Sequence, residues 1–600
     1  MDRQVRADHD WGLCLPLAKI PISADVFSRF GLRTAPVLVF LEFIFGPHLY
    51  TYEASVNSEL SSCPISYNAD MRHQSFNSRH RAALVAAVTL ILQLGSCGGG
   101  GGGSSTTVPN TPPAIPPTTT GPAWWGFGRD AQHSAIGAIA TQPLARLIWQ
   151  MAIDLVPQYS GTALFIHYGS PVITQKNTVI VPVKTTATGN FRIEARSGIN
   201  GAAIWTATSD YVLPAQQSWT PSYNLTLTTG NRLYAAGAGG KLLYRDDADS
   251  TSATLQTAFF YGADTYNASR SVFDQNVIIN TPLTADSAGN IYFGFIVNAS
   301  NPANLVSGIA RVGADGRGTW VGAAAAAGDA TIQKVATNSA PALSLDGRTV
   351  YVAVNSPEIP IWSNGYLLAL DSTTLANRGK VQLIDPNTNV AAWINDNGTA
   401  SPMVGPDGDV YFGVLESNPP SHNFTGWLLH YDATLAQVKT PGAFGWDDTA
   451  SVVPRAMVPG YTGNSSYLLL TKYNNYGGVG TGDGKNRVAI LDPNQTQINP
   501  NTGVPVMKEV VTQLGPTADP GYPGGVMEWC INTAAVDPLT KSVLVNSEDG
   551  YLYRWDLSVN LFTERIRLNS GTAQSYTPTA IGPDGVVYSI NNAVLFAVGR

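Results

Sequence analysis

The chain has 600 residues, enough for several domains or one large repeat array. Only 13% of residues are charged and the net charge is −7, which argues against nucleic acid as a partner because that demands a basic stripe. Hydrophobic residues at 44% can build a sizeable core, while 59 glycines and 39 prolines point to many short strands joined by turns.

Residues 1–70 carry no clear domain signal, and we read them as an over-extended start. The stretch "APVLVFLEFIFG" at 35–46 is apolar but short, with no basic flank directly before it. Met71 opens a better-formed segment. Arg72, Arg79 and Arg81 give a basic start, and Ala82–Leu94 is an apolar run of 13 residues. That run is too short for a membrane-spanning helix, which needs about 20, but it suits the core of a signal peptide. It ends in Leu94-Gly95-Ser96-Cys97. These four residues resemble the lipobox of bacterial lipoprotein signal peptides. The resemblance implies that 71–96 is removed, that Cys97 becomes the first mature residue and carries lipid, and that the protein sits in the bacterial cell envelope. The anchor would be in the outer membrane, with the protein facing the periplasm or the surface. The alternatives are a short buried helix at 82–94 and a genuine extension at 1–70. Residues 97–122, "CGGGGGGSSTTVPNTPPAIPPTTTGP", form a Gly/Ser then Pro/Thr linker by composition.

From Trp124 onward no long helical periodicity occurs. Short β-branched and aromatic runs recur instead: "TVIVPV", "RLYAAG", "NIYFGFIV", "TVYVAV", "DVYFGVL", "SYLLLTKY", "SVLVNS" and "VVYSI". Turns such as "DSAGN", "SLDGR" and "GPDGD" bound many of them, as tight hairpins require. A repeat organises the runs: a small residue and a proline, a turn, a strand, then a second strand. Its marker positions are Pro171, Pro221, Pro282, Pro341, Pro402, Pro454 and Pro578, with Ala534 in the seventh place. The spacing suits one four-stranded propeller blade per unit. The last unit supplies only three obvious strands, and the run "ARLIWQMAID" at 145–154 has no blade of its own. Pairing the two would hide two exposed sheet edges. We therefore expect an all-β fold over 123–600: a single propeller of eight four-stranded blades closed by an N-terminal strand, with seven blades as the alternative.

The lead-in "WWGFGRDAQHSA" at 124–135 and units such as "YLLALDSTT" and "FRIEARSGINGAAIW" resemble the quinoprotein (PQQ-like) β-propeller superfamily. The resemblance spans roughly residues 123–600 and implies the fold more than a function. Quinone dehydrogenases of the superfamily hold a calcium-bound quinone in the central funnel and commonly use adjacent cysteines. Here the propeller region has one cysteine, Cys530, so that disulfide is impossible. We expect no cofactor and no metal, and read Cys530 as a small buried apolar residue.

Other chemistry is sparse. No His-Glu-x-x-His helix, Gly-x-Ser-x-Gly elbow or phosphate loop occurs, and no catalytic residue is assigned. "GGVGTGDGKN" at 477–486 reads as a long hairpin loop. Asp246, Asp247 and Asp249 read as a solvated loop without the order of a calcium loop. His133, His167, His422 and His430 do not cluster in sequence. His167 could face the funnel, with a structural histidine as the other reading. Trp124, Trp125, Trp205, Trp320, Trp427 and Trp555 read as wedges between blades, with a ligand groove as the alternative. The expectation is a monomeric, lipid-anchored envelope propeller acting as a non-catalytic binding or assembly scaffold, with a protein partner on one face. A lipoprotein subunit of the outer-membrane β-barrel assembly machinery gives that reading a precedent within the superfamily. The alternative is an envelope enzyme, either a quinone-dependent oxidoreductase or a hydrolase or lyase on glycan or peptide. Convergent carboxylates in the funnel would mark that enzyme.

Overall fold

The computed structural model describes the backbone of 37–45 and 48–56, and residues 124–600 apart from 161–162, 165–166, 188, 212, 214–222, 358–362, 395–399 and 570–574. The apolar run at 82–94, Cys97 and the linker lie outside the described residues. Val37–Phe45 and His48–Val56 pair as an antiparallel hairpin.

The remaining described chain forms eight small antiparallel blade sheets and one two-stranded hairpin, Tyr159–Ser160 with Ala163–Leu164. Blade 1 is Val172–Ile173, Thr178–Thr186, Gly189–Ser197 and Ala203–Ser209. Blade 2 is Thr226–Leu227, Leu233–Ala236, Leu242–Arg245 and Gln256–Ala258. Blade 6 is Ser451–Pro454, Tyr467–Tyr473, Arg487–Ile498 and Pro505–Leu514. Blade 7 is Ala535–Asp537, Ser542–Asn546, Tyr551–Asp556 and Leu561–Arg567. Each has four strands in sequence order, innermost first.

Blades 3, 4 and 5 depart from four strands, and proline accounts for it. In blade 3 (277–322) the inner strand is broken into Val277–Ile279 and Thr284–Ala285, with Pro282 between them. In blade 4 (334–382) it is broken into Lys334–Val335 and Ala342–Leu343, with Pro341 between them. A proline has no N–H to give to the ladder. Blade 5 keeps Met403–Val404, Val410–Val414 and Trp427–Tyr431. Its outer edge, which carries Pro441, is reduced to two isolated bridges, Leu428 with Gly442 and Tyr431 with Val438.

Blade 8 closes the ring as the sequence predicts. Ala580–Ile581, Val587–Asn591 and Val594–Gly599 come from the end of the chain, and Arg146–Ala152 adds the fourth strand. The core is distributed between blades. Val453, Leu468, Leu470 and Val488 of blade 6 pack on Val536, Val543, Tyr553 and Trp555 of blade 7. Buried tyrosines of the second strands find polar partners across the same seams: the Tyr411 and Tyr467 hydroxyls lie 2.6 Å apart, and Tyr467 donates to Asp407 at 2.8 Å.

The lead-in segment runs from strand to strand around the inside of the ring. Leu227 N donates to Trp125 O at 2.7 Å, Leu343 N to Ala131 O at 2.7 Å and Val404 N to Gln132 O at 2.9 Å. Val452 N then donates to Ser134 O at 3.0 Å and Val536 N to Ala135 O at 2.9 Å. Blades 2, 4, 5, 6 and 7 are thereby joined to one stretch of backbone, at the ends of their inner strands. His133 of this stretch is buried, donates through Nδ1 to Pro402 O at 2.6 Å and meets Phe127 edge-on. At the starts of the inner strands, the small polar residues beside the repeat prolines link neighbouring blades. Ala340 N donates to Ser401 Oγ at 2.8 Å, Ser401 N to Thr449 Oγ1 at 2.9 Å and Thr449 N to Asn532 O at 3.1 Å. The small-residue-and-proline marker of the repeat is therefore a blade-to-blade fastener.

Candidate functional site

The loops that lead into the inner strands gather at the end of the ring opposite the lead-in segment. Those around blades 6, 7, 8 and 1 carry an unusual set of side chains. Asp447 and Asp448 precede blade 6, and Lys472 stands near the end of that blade's second strand. Glu528 and Cys530 lie between blades 6 and 7, Glu548 sits in a turn of blade 7, Tyr576 leads into blade 8 and His167 into blade 1. All but two of these side chains are buried, Glu528 and Tyr576 being half-buried; Lys472 is only 2% exposed.

These groups form one electrostatic unit. Oxygen and sulfur ligand atoms of Glu528, Cys530 and Glu548 lie within 4.8 Å of one another, and Cys530 Sγ is 3.8 Å from Glu528 Oε2. Burial drives the Glu528 and Glu548 carboxyls up from the usual carboxylate range, and the charge of Glu528 adds to the rise at Glu548. Burial likewise pushes the Asp448 carboxyl up, and nearby Asp447 pushes it further. Lys472 opposes these rises at Asp448, Glu528 and Glu548. The same burial holds the His167 imidazole neutral and the Tyr476 and Tyr576 phenols protonated. The rings of His167 and Tyr576 pack at 5.0 Å between centres, tilted by 39°. Carboxyls kept protonated beside an ammonium and a neutral imidazole can deliver and accept protons at neutral pH.

The rest of the sequence candidates lie elsewhere. Cys530 is buried as expected, but its neighbours are carboxyls, not hydrocarbon. His430 is held by Asp409 at 2.9 Å, and His422 stacks on Trp427 at 3.8 Å between ring centres; both serve blade 5. Trp124, Trp427 and Trp555 are fully buried, and Trp205 donates to Ala248 O at 2.8 Å across blades 1 and 2. Trp320 lines an open groove between blades 2 and 3, with Tyr244, Phe259 and Tyr261. Asp246 accepts from Gln256, Asp247 and Asp249 both accept from Asn231 Nδ2, and Asp249 also accepts from Thr174. Residues 477–486 form the connection between two strands of blade 6, as the hairpin reading required. Sequence reasoning missed Asp447, Asp448, Lys472, Glu528 and Glu548 because about 100 residues separate the first from the last. Their sole common signal is position: each lies at or beside the fastener end of a repeat unit.

A calcium-bound tricarboxylate quinone does not fit this site. The ligand would bring its carboxylates against Asp447, Asp448, Glu528 and Glu548, with Lys472 the one cation acting on them among the described residues.

No protein-family model and no curated protein matches the sequence. Among solved structures, the chain is similar to a europium-containing methanol dehydrogenase at 11% identity and a TM-score of 0.48, over 78% of this chain and 89% of that one. It is similar to BamB from Moraxella catarrhalis at 12% identity and a TM-score of 0.37, over 76% of this chain and 97% of the other. A third likeness is to Sqt1 of Saccharomyces cerevisiae, at 9% identity and a TM-score of 0.42, over 77% and 100%. At these identities and scores the likenesses carry no statement about activity, and the eight-bladed β-propeller stands on the strand pairing itself.

Proposed function

We propose that this protein is a bacterial envelope β-propeller, anchored by lipid on Cys97, whose working part is the acidic funnel between blades 6, 7, 8 and 1. The funnel takes a small polar ligand and acts on it by proton transfer. The observation that carries this reading is the convergence of Asp447, Asp448, Lys472, Glu528, Glu548 and His167 from five separate chain segments onto one buried locus. A scaffold needs no such set, because each of these groups costs desolvation energy on burial. The lipobox-like residues and the linker support the anchor.

The scaffold is the second reading, and one feature favours it. The groove lined by Tyr244, Phe259, Tyr261 and Trp320 is open to solvent and aromatic, as protein-docking surfaces are.

The two readings separate in a thermal-shift screen of small sugars, amino acids and peptides against the whole chain, with Lys472→Met and Glu548→Gln beside it. The funnel reading expects a stabilising ligand whose effect disappears in both funnel variants and survives Trp320→Ala. A ligand lost only in Trp320→Ala would overturn it.

A further inference from the structure

We infer that Glu528, Cys530 and Glu548 form a binding site for a divalent metal ion of the zinc type, with Lys472 facing the space beside it. The inference rests on the funnel reading above and names what that funnel holds.

The donor set is the first ground. Two carboxylates and one thiolate are ligands of zinc in proteins, at about 2.0–2.2 Å for oxygen and about 2.3 Å for sulfur. A tetrahedral ion with those bond lengths sets its sulfur and oxygen about 3.5 Å apart. Cys530 Sγ and Glu528 Oε2 are 3.8 Å apart, and Glu548 brings its oxygen within 4.8 Å of both. Small rotamer changes would close the remaining gap. A hard cation such as calcium takes six to eight oxygens and has no use for the sulfur. The three residues come from two blade connections, Glu528 and Cys530 before blade 7 and Glu548 within it, so the ring fixes their spacing.

The second ground is independent of the triad. Asp448 Oδ2 is buried and has no hydrogen-bond partner among the described residues. Lys472 is 2% exposed, and its ammonium lies 6.0 Å from the ring of Phe444. A buried carboxyl oxygen without a donor is costly unless a bound group supplies one. Lys472 acts on Glu528, Glu548, Cys530 and Asp448 together, so its charge points into the same space as the triad. An ion on the triad would leave a coordination position open. A water or substrate oxygen there could accept from Lys472 while a donor on the same ligand reached Asp448.

The whole chain, freed of metal with a chelator, is titrated with Zn²⁺ by calorimetry and separately with Co²⁺. We expect one Zn²⁺ per chain and, with cobalt, a sulfur-to-metal absorption band in the near ultraviolet. Cys530→Ser should remove the band and weaken Zn²⁺ binding at least tenfold, and Glu548→Gln should weaken it similarly without removing the band. Circular dichroism checks that both variants fold. If either fails to fold, X-ray absorption on the zinc-loaded wild type decides: one sulfur with oxygen neighbours supports the site, and two or more sulfurs overturn it. Absence of Zn²⁺ binding, or a cobalt band that survives Cys530→Ser, also overturns it. Lys472→Met separates the two readings. Loss of ligand stabilisation in this variant without any metal binding in the wild type sinks the metal site alone. Intact zinc binding with no ligand response in any funnel variant sinks the funnel reading and leaves the metal site standing.

Discussion

Arg146 lies opposite Gly599, and Ala152 opposite Val594, in the antiparallel pair that closes the ring. Residues more than 440 apart in sequence share one ladder, so each end of the propeller depends on the other. Deleting residues 594–600 removes the buried Leu595, Phe596 and Val598 and exposes two strand edges. At about 2 kcal/mol for each large buried side chain, we expect a loss of about 5 kcal/mol or more. Calorimetry should find an early, broadened unfolding transition. An unchanged transition would mean that closure adds nothing to stability.

Arg554 ties the lead-in segment to blade 7. Its Nη1 donates to Thr141 Oγ1 at 2.7 Å and Ser542 Oγ at 2.8 Å, and its Nη2 to Gln142 O at 2.6 Å. Arg554→Met strands those acceptors and should cost about 3 kcal/mol in urea unfolding. Hydrogen exchange should rise first at 135–142, because those amides lose their anchor before the blades open.

Gly169 marks a close approach between the connections into blades 1 and 2. A Cβ built there would lie 2.0 Å from Tyr223 O, which is backbone and cannot swing aside. Gly169→Ala should therefore cost about 1–3 kcal/mol. Gly460→Ala is the matched control. Nothing lies within 4 Å of its Cβ position, and its unfolding stability should stay within about 0.5 kcal/mol of the parent.

His133 gives the fold an acid sensitivity. Burial holds its imidazole neutral, with its pKa lowered to about 4 from the ordinary 6.5. The unfolded chain takes up a proton at that histidine as pH falls through about 6.5, while the folded chain resists until about 4. Stability is thus full above about 6.5 and declines by about 3 kcal/mol as pH drops to 4. His422, also lowered to about 4 by burial, adds to the same slope. His133→Gln, less stable at pH 7, should show a flatter dependence of unfolding midpoint on pH between 7 and 4. A slope equal to the parent's would rule out the histidine as its source.

The proposed anchor is checked in cells. Cys97→Ser should leave a precursor about three kilodaltons heavier than the mature protein, as expected for 26 retained residues at about 110 daltons each, and should abolish incorporation of labelled fatty acid. Lipid labelling that persists in this variant would remove the basis for the anchor.

The architecture was legible in the sequence because it is local and repeated. A small residue beside a proline (an alanine in the seventh unit), a tight turn and a strand recur over eight units, and hairpins are decided within each unit by turn chemistry and strand period. Even the long-range closure could be read, since a three-strand unit at one end and an orphan strand at the other leave edges that must be covered. The count of strands within blades 3, 4 and 5 was less legible, because Pro282, Pro341 and Pro441 act on individual ladders whose pairing depends on the neighbouring strand. The funnel could not be read in advance. Asp447, Glu528 and Glu548 are ordinary polar residues in three separate loops and Lys472 lies in a strand, and no spacing connects them. Winding the chain into a ring buries their loops against one another and sets Cys530 between two carboxyls. Local rules of turn and strand therefore determined the propeller from sequence alone. Its chemistry was decided by tertiary structure, because burial and proximity exist only once the ring has closed.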